Sequence, residues 1–393
     1  MDVGIGGGGS FSSICILSQI ARIGSTARHR PVGLPRGKDP REDRFDLCEE
    51  NMESYPFELG PIRPVDEGDS LLIRTTRGCP WNKCEFCVNY KGMRFSMRPV
   101  EEIKRDIVAA ARCYDGHPFQ SCFLQDGDSF IMKTGDLLEV LRFLREHFPT
   151  LKRVTSYGRA QTMIRKSPAE MKEICQAGLT LLYCGMESGS DTILKKIRKG
   201  ITSQDLIQSA SMAKEAGMHL SEFIILGLGG TALWEEHATE TARVLNAIDP
   251  DYIRVLTIGV KKGSGLEQQM QRGEYRLQTE RNLIEEQRLL IDSLNGVSSY
   301  YVNHHGVDLL MEARGRLPEE KPRLLAIMDR YLSMPEEERL NYTLGRRLGY
   351  YRRMDDMQDF SLKQFIDGKV AELRLAYPGQ IEEIFHQLRE RIV

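Results

Sequence analysis

From residue 70 onward, short apolar runs alternate with longer segments whose apolar residues recur every three or four positions. Ser70 to Thr76 reads as a buried strand bounded by Gly68 and Gly78. Val100, Ile103, Ile107, Val108 and Ala111 then fall at helical spacing, and Pro99 suits a first turn. The alternation repeats with strands expected over 121–124, 154–157, 179–186, 220–226 and 252–258. Helices are expected around 137–144, 168–178, 203–217, 233–248 and 280–294. Six strand–helix units in about 225 residues predict an α/β fold, a parallel sheet covered by helices. The spacing suits an open or closed βα barrel better than a Rossmann sheet, because no Gly-x-Gly-x-x-Gly follows the first strand.

Past residue 300 the alternation gives way to helix. Val297 to Val302 reads as a seventh strand, and helices are expected around 324–332, 360–373 and 381–392. The N-terminal residues include Gly6-Gly7-Gly8-Gly9-Ser10, a linker-like run. Residues 1–51 are therefore expected to be a disordered extension, 52–300 the barrel and 301–393 a helical C-terminal extension. Met52 is a plausible true start.

Composition changes this picture little. The chain of 393 residues has 41% apolar and 28% charged residues and a formal net charge of −2, so no global field points to nucleic acid or an anionic membrane. No apolar run approaches the length of a membrane span. Nine cysteines in so long a chain do not resemble a secreted disulfide framework, and a cytoplasmic location is expected. One basic aromatic stretch carries Tyr342, Arg346, Arg347, Tyr350, Tyr351, Arg352 and Arg353. Stacking and phosphate contact with RNA would need those residue types, but such stretches are usually helix surface or rim packing, so nucleic acid is not expected as a partner.

Three cysteines carry the chemistry: Cys79, Cys84 and Cys87, within nine residues just after the first strand. Three thiolates can hold three irons of a cubane cluster and leave the fourth open to another ligand. A structural zinc site would need a fourth ligand, and the nearest downstream are Cys113 and His117. A redox Cys84-x-x-Cys87 pair leaves Cys79 unexplained. Cys113, Cys122, Cys175 and Cys184 are dispersed and do not suggest a second cluster.

With Phe86 just before the last cysteine, this loop resembles that of the radical S-adenosylmethionine (SAM) superfamily. There, C-x3-C-x-aromatic-C holds a 4Fe-4S cluster whose open iron binds SAM. This chain departs from the pattern in its first gap, which is four residues. The resemblance covers roughly residues 55 to 300 and implies a partial (βα)6 TIM-like barrel, with the chemistry at the C-terminal ends of the strands.

Later loops fit the same reading. Gly127, after the second strand, stands where the superfamily contacts the SAM amino group; a plain Asp-Gly turn is the alternative. Ser156 and Arg159, after the third, can meet a carboxylate or ribose, or can form a turn with a solvated Arg. The run Glu187-Ser-Gly-Ser-Asp191 followed by Lys199-Gly200 resembles superfamily members near tRNA methylthiotransferases and oxygen-independent coproporphyrinogen oxidases. By that resemblance Glu187 faces the ribose hydroxyls and Lys199 the methionyl carboxylate; a solvated Lys at a helix end is the alternative. Ile225 to Gly227 are the corresponding adenine contacts, against the alternative that Ile225 is simply core.

The resemblance thus implies an enzyme that cleaves SAM reductively and abstracts hydrogen from a substrate the sequence does not identify. An external electron donor of flavodoxin or ferredoxin type would serve it. The alternative from another class is a non-catalytic iron–sulfur chaperone or carrier handling SAM or haem.

Overall fold

The computed structural model describes residues 55–303 and 305–392, so the expectation for residues 1–51 lies outside the described chain. Its centre is an eight-stranded sheet in sequential order: β1 (Leu71–Arg74), β2 (Ser121–Gln125), β3 (Arg153–Gly158), β4 (Leu179–Glu187), β5 (His219–Leu226), β6 (Tyr252–Thr257), β7 (Tyr300–Val302) and β8 (Gly315–Arg316). Every neighbouring pair from β1 to β7 is parallel, and β8 closes the order antiparallel to β7.

The crossovers between the strands are helical. They comprise α1 (Val100–Cys113), α2 (Thr134–His147), α3 (Ala160–Met163), α4 (Pro168–Gln176), α5 (Asp191–Lys196), α6 (Ser203–Glu215), α7 (Trp234–Ile248), α8 (Gly265–Gln271) and α9 (Glu280–Ser293). The apolar faces of α1 and α2 are buried through Ile103 and Ile107, and through Leu137, Val140 and Leu141. Local signals set the helix starts. Ser167 and Glu170 form a capping box at α4, and Thr202 and Asp205 do so at α6.

Strand alternation sends one set of side chains toward these helices and the other inward. The inward set contains an aromatic layer: Phe123, Tyr157, Tyr183 and Phe223, with ring centroids 5.0 Å apart for Phe123–Tyr157 and 6.1 Å for Tyr183–Phe223. Below it a 3-10 turn, Val65–Glu67, buries Glu67, which accepts the Tyr183 hydroxyl at 2.7 Å.

After the sheet come α10 (Lys321–Ser333), α11 (Glu336–Arg347), α12 (Phe360–Ala376) and α13 (Ile381–Ile392). This confirms a helical C-terminal region. The basic aromatic stretch is largely interior: Tyr342, Tyr351, Arg346 and Arg347 are buried. Arg347 Nη2 donates to Glu280 Oε2 at 2.7 Å, and Arg346 Nη2 donates to the carbonyl of Asp308 at 2.9 Å. Among the described residues no helix is long and apolar enough to cross a membrane.

Candidate functional site

The cysteine loop leaves the C-terminal end of β1 and crosses to the ends of β4 and β6. Its first anchor is Asp126, directly after β2. Asp126 Oδ2 accepts Gly78 N–H at 2.8 Å and both Nε (3.1 Å) and Nη2 (2.5 Å) of Arg74. Its second anchor is the turn after α5. The Trp81 indole donates to the Arg198 carbonyl at 2.7 Å, and Glu85 N–H donates to the Ile197 carbonyl at 2.9 Å. Glu85 O accepts Leu266 N–H of α8 at 2.9 Å, and Glu85 pairs with Arg198 at 3.2 Å. The loop bearing the three thiols is therefore tied to the segment that carries Lys199.

The thiols of Cys79, Cys84 and Cys87 are free. Burial pushes the Cys84 and Cys87 thiols up from their ordinary range, while the Lys199 charge pulls in the other direction. A cation at the loop would reverse that balance, since a coordinated thiol loses its proton. Among the described residues, no three His, Cys, Asp and Glu side chains converge on a single metal-ion position. A cubane asks for a different geometry, one thiolate on each of three separate irons.

Glu187 and Lys199 meet at this end of the barrel. Lys199 Nζ donates to Glu187 Oε1 at 2.7 Å, and both residues are buried. Burial opposes the Lys199 charge, yet the neighbouring Glu187 carboxylate holds its pKa above the ordinary value. Glu187 sits at φ +64°, left-handed backbone that costs a non-glycine residue about 1 kcal/mol. The pair lies over Gly185, where a Cβ would run into the Glu187 carboxylate and stand 2.8 Å from Lys199 Nζ.

The other expected residues distribute unevenly. Phe86 packs against the apolar cluster that contains Ile225, together with Ile193, Ile197 and Ile258, so those two are brought together. Gly127 touches the cysteine loop itself: a Cβ there would meet the Tyr90 ring at 3.0 Å and Cys79 Cβ at 3.3 Å. Arg159 reaches the Lys199 carbonyl at 3.4 Å and lies 5.8 Å from the Trp81 ring centroid. Ser156 is fully buried, and its hydroxyl donates to the carbonyl of Tyr157 at 3.1 Å rather than to any of the other expected residues. Gly227 has φ +89°, and its carbonyl accepts the Tyr275 hydroxyl at 2.7 Å.

A pair that no sequence motif marks supports two of these positions. His237 of α7 and Glu286 of α9 are fully buried, with His237 Nδ1 2.5 Å from Glu286 Oε1. His237 Nε2 lies 3.1 Å from the carbonyl of Glu187, and Glu286 accepts Gly227 N–H at 3.1 and 3.2 Å. The two ring nitrogens of His237 thus bridge the Glu286 carboxyl group and the Glu187 carbonyl. This chain of bonds joins the C-terminal end of β4 to that of β5. A histidine on a helical apolar face was the only sequence signal, and burial alone explains most such residues.

Two buried acids lie near the site. Asp128 accepts the Thr162 hydroxyl at 2.5 Å, and burial pushes its carboxyl up to about 7. Glu222 of β5 is raised to about 8, by burial first and then by the Glu187 charge, against the opposing Lys199 charge. Two further buried atoms near the cysteine loop, Tyr90 Oη and Asp126 Oδ1, have no hydrogen-bond partner among the described residues.

Residues 73–242 match the family model of the radical SAM superfamily, and the chain carries a radical SAM domain. An uncharacterized methyltransferase of Pyrococcus horikoshii, PH0819, is 28% identical over 211 residues, 52% of this chain and 43% of that protein. An uncharacterized protein of Methanocaldococcus jannaschii, MJ0486, is 29% identical over 116 residues, 30% of this chain and 34% of the relative. The chain thus spans less than half the length of these two relatives. Among solved structures, methylornithine synthase (PylB) aligns at 20% identity with a TM-score of 0.42, covering 57% of this chain and 63% of that one. The cobalamin-dependent SAM radical enzyme OxsB aligns at 14% identity with a TM-score of 0.47, covering 82% and 58%.

Proposed function

We propose that this chain, which carries a radical SAM domain, is a radical SAM enzyme in which Cys79, Cys84 and Cys87 hold a 4Fe-4S cluster and the loops around them hold SAM. One observation carries the reading: the thiol-bearing loop is hydrogen-bonded to the backbone of Ile197 and Arg198, which brings three thiols and the buried Glu187–Lys199 pair into one site. The donor set suits the group, since thiolates hold iron–sulfur clusters and three leave one iron open. The orphaned Tyr90 hydroxyl and Asp126 Oδ1 are polar groups that a ligand at the loop would satisfy.

When bound, the reduced cluster supplies the electron that splits SAM into methionine and a 5′-deoxyadenosyl radical able to take hydrogen from a substrate. The residues of the chain bind and orient. Lys199 pairs with the methionyl carboxylate, and Glu187, released from Lys199, accepts the ribose hydroxyls. Phe86 and Ile225 give the adenine an apolar wall, with Gly227 beside them. Gly127 keeps the loop after β2 close to Cys79, leaving its backbone for the ligand's amino group. Arg159 orients the Lys199 segment and the Trp81 ring. Ser156 has no direct role in this arrangement, since its hydroxyl is held by the carbonyl of Tyr157.

An external donor of flavodoxin or ferredoxin type would deliver the electron, in a cytoplasmic setting. The name of the Pyrococcus relative favours one second reading, methyl transfer, in which S-adenosylhomocysteine accumulates. Iron and sulfide analysis after anaerobic reconstitution tests the cluster. About four irons and four sulfides per chain, lost on Cys79→Ser, is the expected result; zinc without sulfide contradicts it.

A further inference from the structure

At the N-terminal ends of the strands, opposite the cysteine loop, the barrel holds a cavity of about 240 Å³. Three guanidinium groups line it, from Arg153, Arg254 and Arg314, against a single lining carboxylate, Asp66. The rings of Tyr183, Tyr252 and Tyr300 complete much of the wall. We propose that this cavity binds the carboxylate or phosphate group of a small ligand whose body lies along the tyrosine rings.

Arg254 is built into the site. It is 6% exposed, and its guanidinium carbon lies 5.5 Å from the Tyr183 ring centroid and 5.1 Å from that of Tyr252. Its Nε donates to Ser221 Oγ at 2.7 Å, and its Nη1 pairs with Asp66. Nη2 makes no hydrogen bond among the described residues, and Arg254 lines the cavity. Holding a cation this deep is costly unless its N–H groups are matched.

The other two arginines add charge without full compensation. Arg153 meets Glu67 at 3.5 Å, but Glu67 already accepts the Tyr183 hydroxyl at 2.7 Å. Arg314 is exposed, and its guanidinium has no ion pair among the described residues. A planar oxyanion is the ligand that two or three converging guanidinium forks match best. The volume suits a small molecule rather than a polypeptide segment.

The site stands apart from the cluster loop. Tyr183 is four residues below Glu187 on β4, about 13 Å along the strand. The aromatic layer of Phe123, Tyr157 and Phe223 packs beside Tyr183. The inference therefore does not depend on the radical chemistry.

The full chain is titrated by calorimetry at fixed ionic strength, with inorganic phosphate in one arm and benzoate in the other. Saturable one-site binding of either probe is expected, weakened roughly tenfold or more by Arg314→Ala and by Arg153→Ala. The preferred probe tells phosphate from carboxylate. Arg314 is exposed, so its variant keeps the fold, which circular dichroism checks. Absence of saturable binding in both arms, or equal affinity in the two variants and the native chain, overturns the proposal.

Discussion

Lys199 Nζ lies 2.7 Å from Glu187 Oε1, twelve residues away in sequence, and both side chains are about nine-tenths buried. Removing one partner strands the other charge. Lys199→Met or Glu187→Gln is expected to cost about 3 kcal/mol, and the double variant less than the sum. Urea unfolding of the four proteins measures the coupling. Strict additivity would show that the two groups do not rely on each other in the folded chain.

Gly185 lies directly beneath that pair, and a methyl group there displaces the carboxylate and the ammonium rather than any backbone. Gly185→Ala is expected to leave stability within about 1–2 kcal/mol while weakening SAM binding tenfold or more. Equilibrium dialysis with labelled SAM reads the effect. Gly227→Ala is the contrast. With φ +89° and Ile258 Cγ2 at 2.6 Å from the added carbon, it is expected to cost more than 2 kcal/mol.

The His237–Glu286 pair joins the ends of β4 and β5. His237→Ala takes the imidazole from the Glu187 carbonyl and leaves buried Glu286 only the Gly227 N–H, at about 2–4 kcal/mol. Glu286→Gln keeps an acceptor for Gly227 N–H and is expected to be milder than Glu286→Leu. Urea midpoints rank the three variants, and an equal loss for the Gln and Leu variants would contradict this role. A positioning role further predicts a raised KM for SAM in Glu286→Gln, with kcat changed less.

Much of the barrel is legible in the chain. The six strands expected between 70 and 258 lie within three residues of β1 to β6 at each boundary, because buried β-branched and leucine runs leave little choice of period. The short helices α3, α5 and α8 and the two-residue β8 were not legible: four to seven residues are too few to show a period. Helix α11 was hidden because only Leu340 and Leu344 give its buried side an apolar signal; Asn341, Tyr342, Arg346 and Arg347 are buried beside them against partners elsewhere in sequence. At the site, Cys79, Cys84 and Cys87 announce themselves by spacing. Asp126, His237 and Glu286 act through contacts between segments distant in sequence, which no local pattern encodes.

Glu222 gives the fold a pH dependence. Its folded pKa of about 8 exceeds that of an unfolded glutamate, about 4.3, so the folded state holds the proton more tightly. The stability from this group is complete below about pH 4, falls as pH rises, and is gone above about pH 8. Glu222→Gln should remove this component, worth up to a few kcal/mol, and so flatten the decline between pH 5 and pH 8. Urea unfolding at several pH values checks it; an unchanged slope would place the titration elsewhere.

Reductive cleavage of SAM at the loop of Cys79, Cys84 and Cys87 is open to a direct assay. The chain is reconstituted anaerobically with iron and sulfide, given dithionite and SAM, and assayed for 5′-deoxyadenosine beside Cys84→Ala. Product is expected from the native chain and none from the variant. A native chain that holds an intact cluster, binds SAM and forms no 5′-deoxyadenosine would contradict it and favour a non-catalytic carrier.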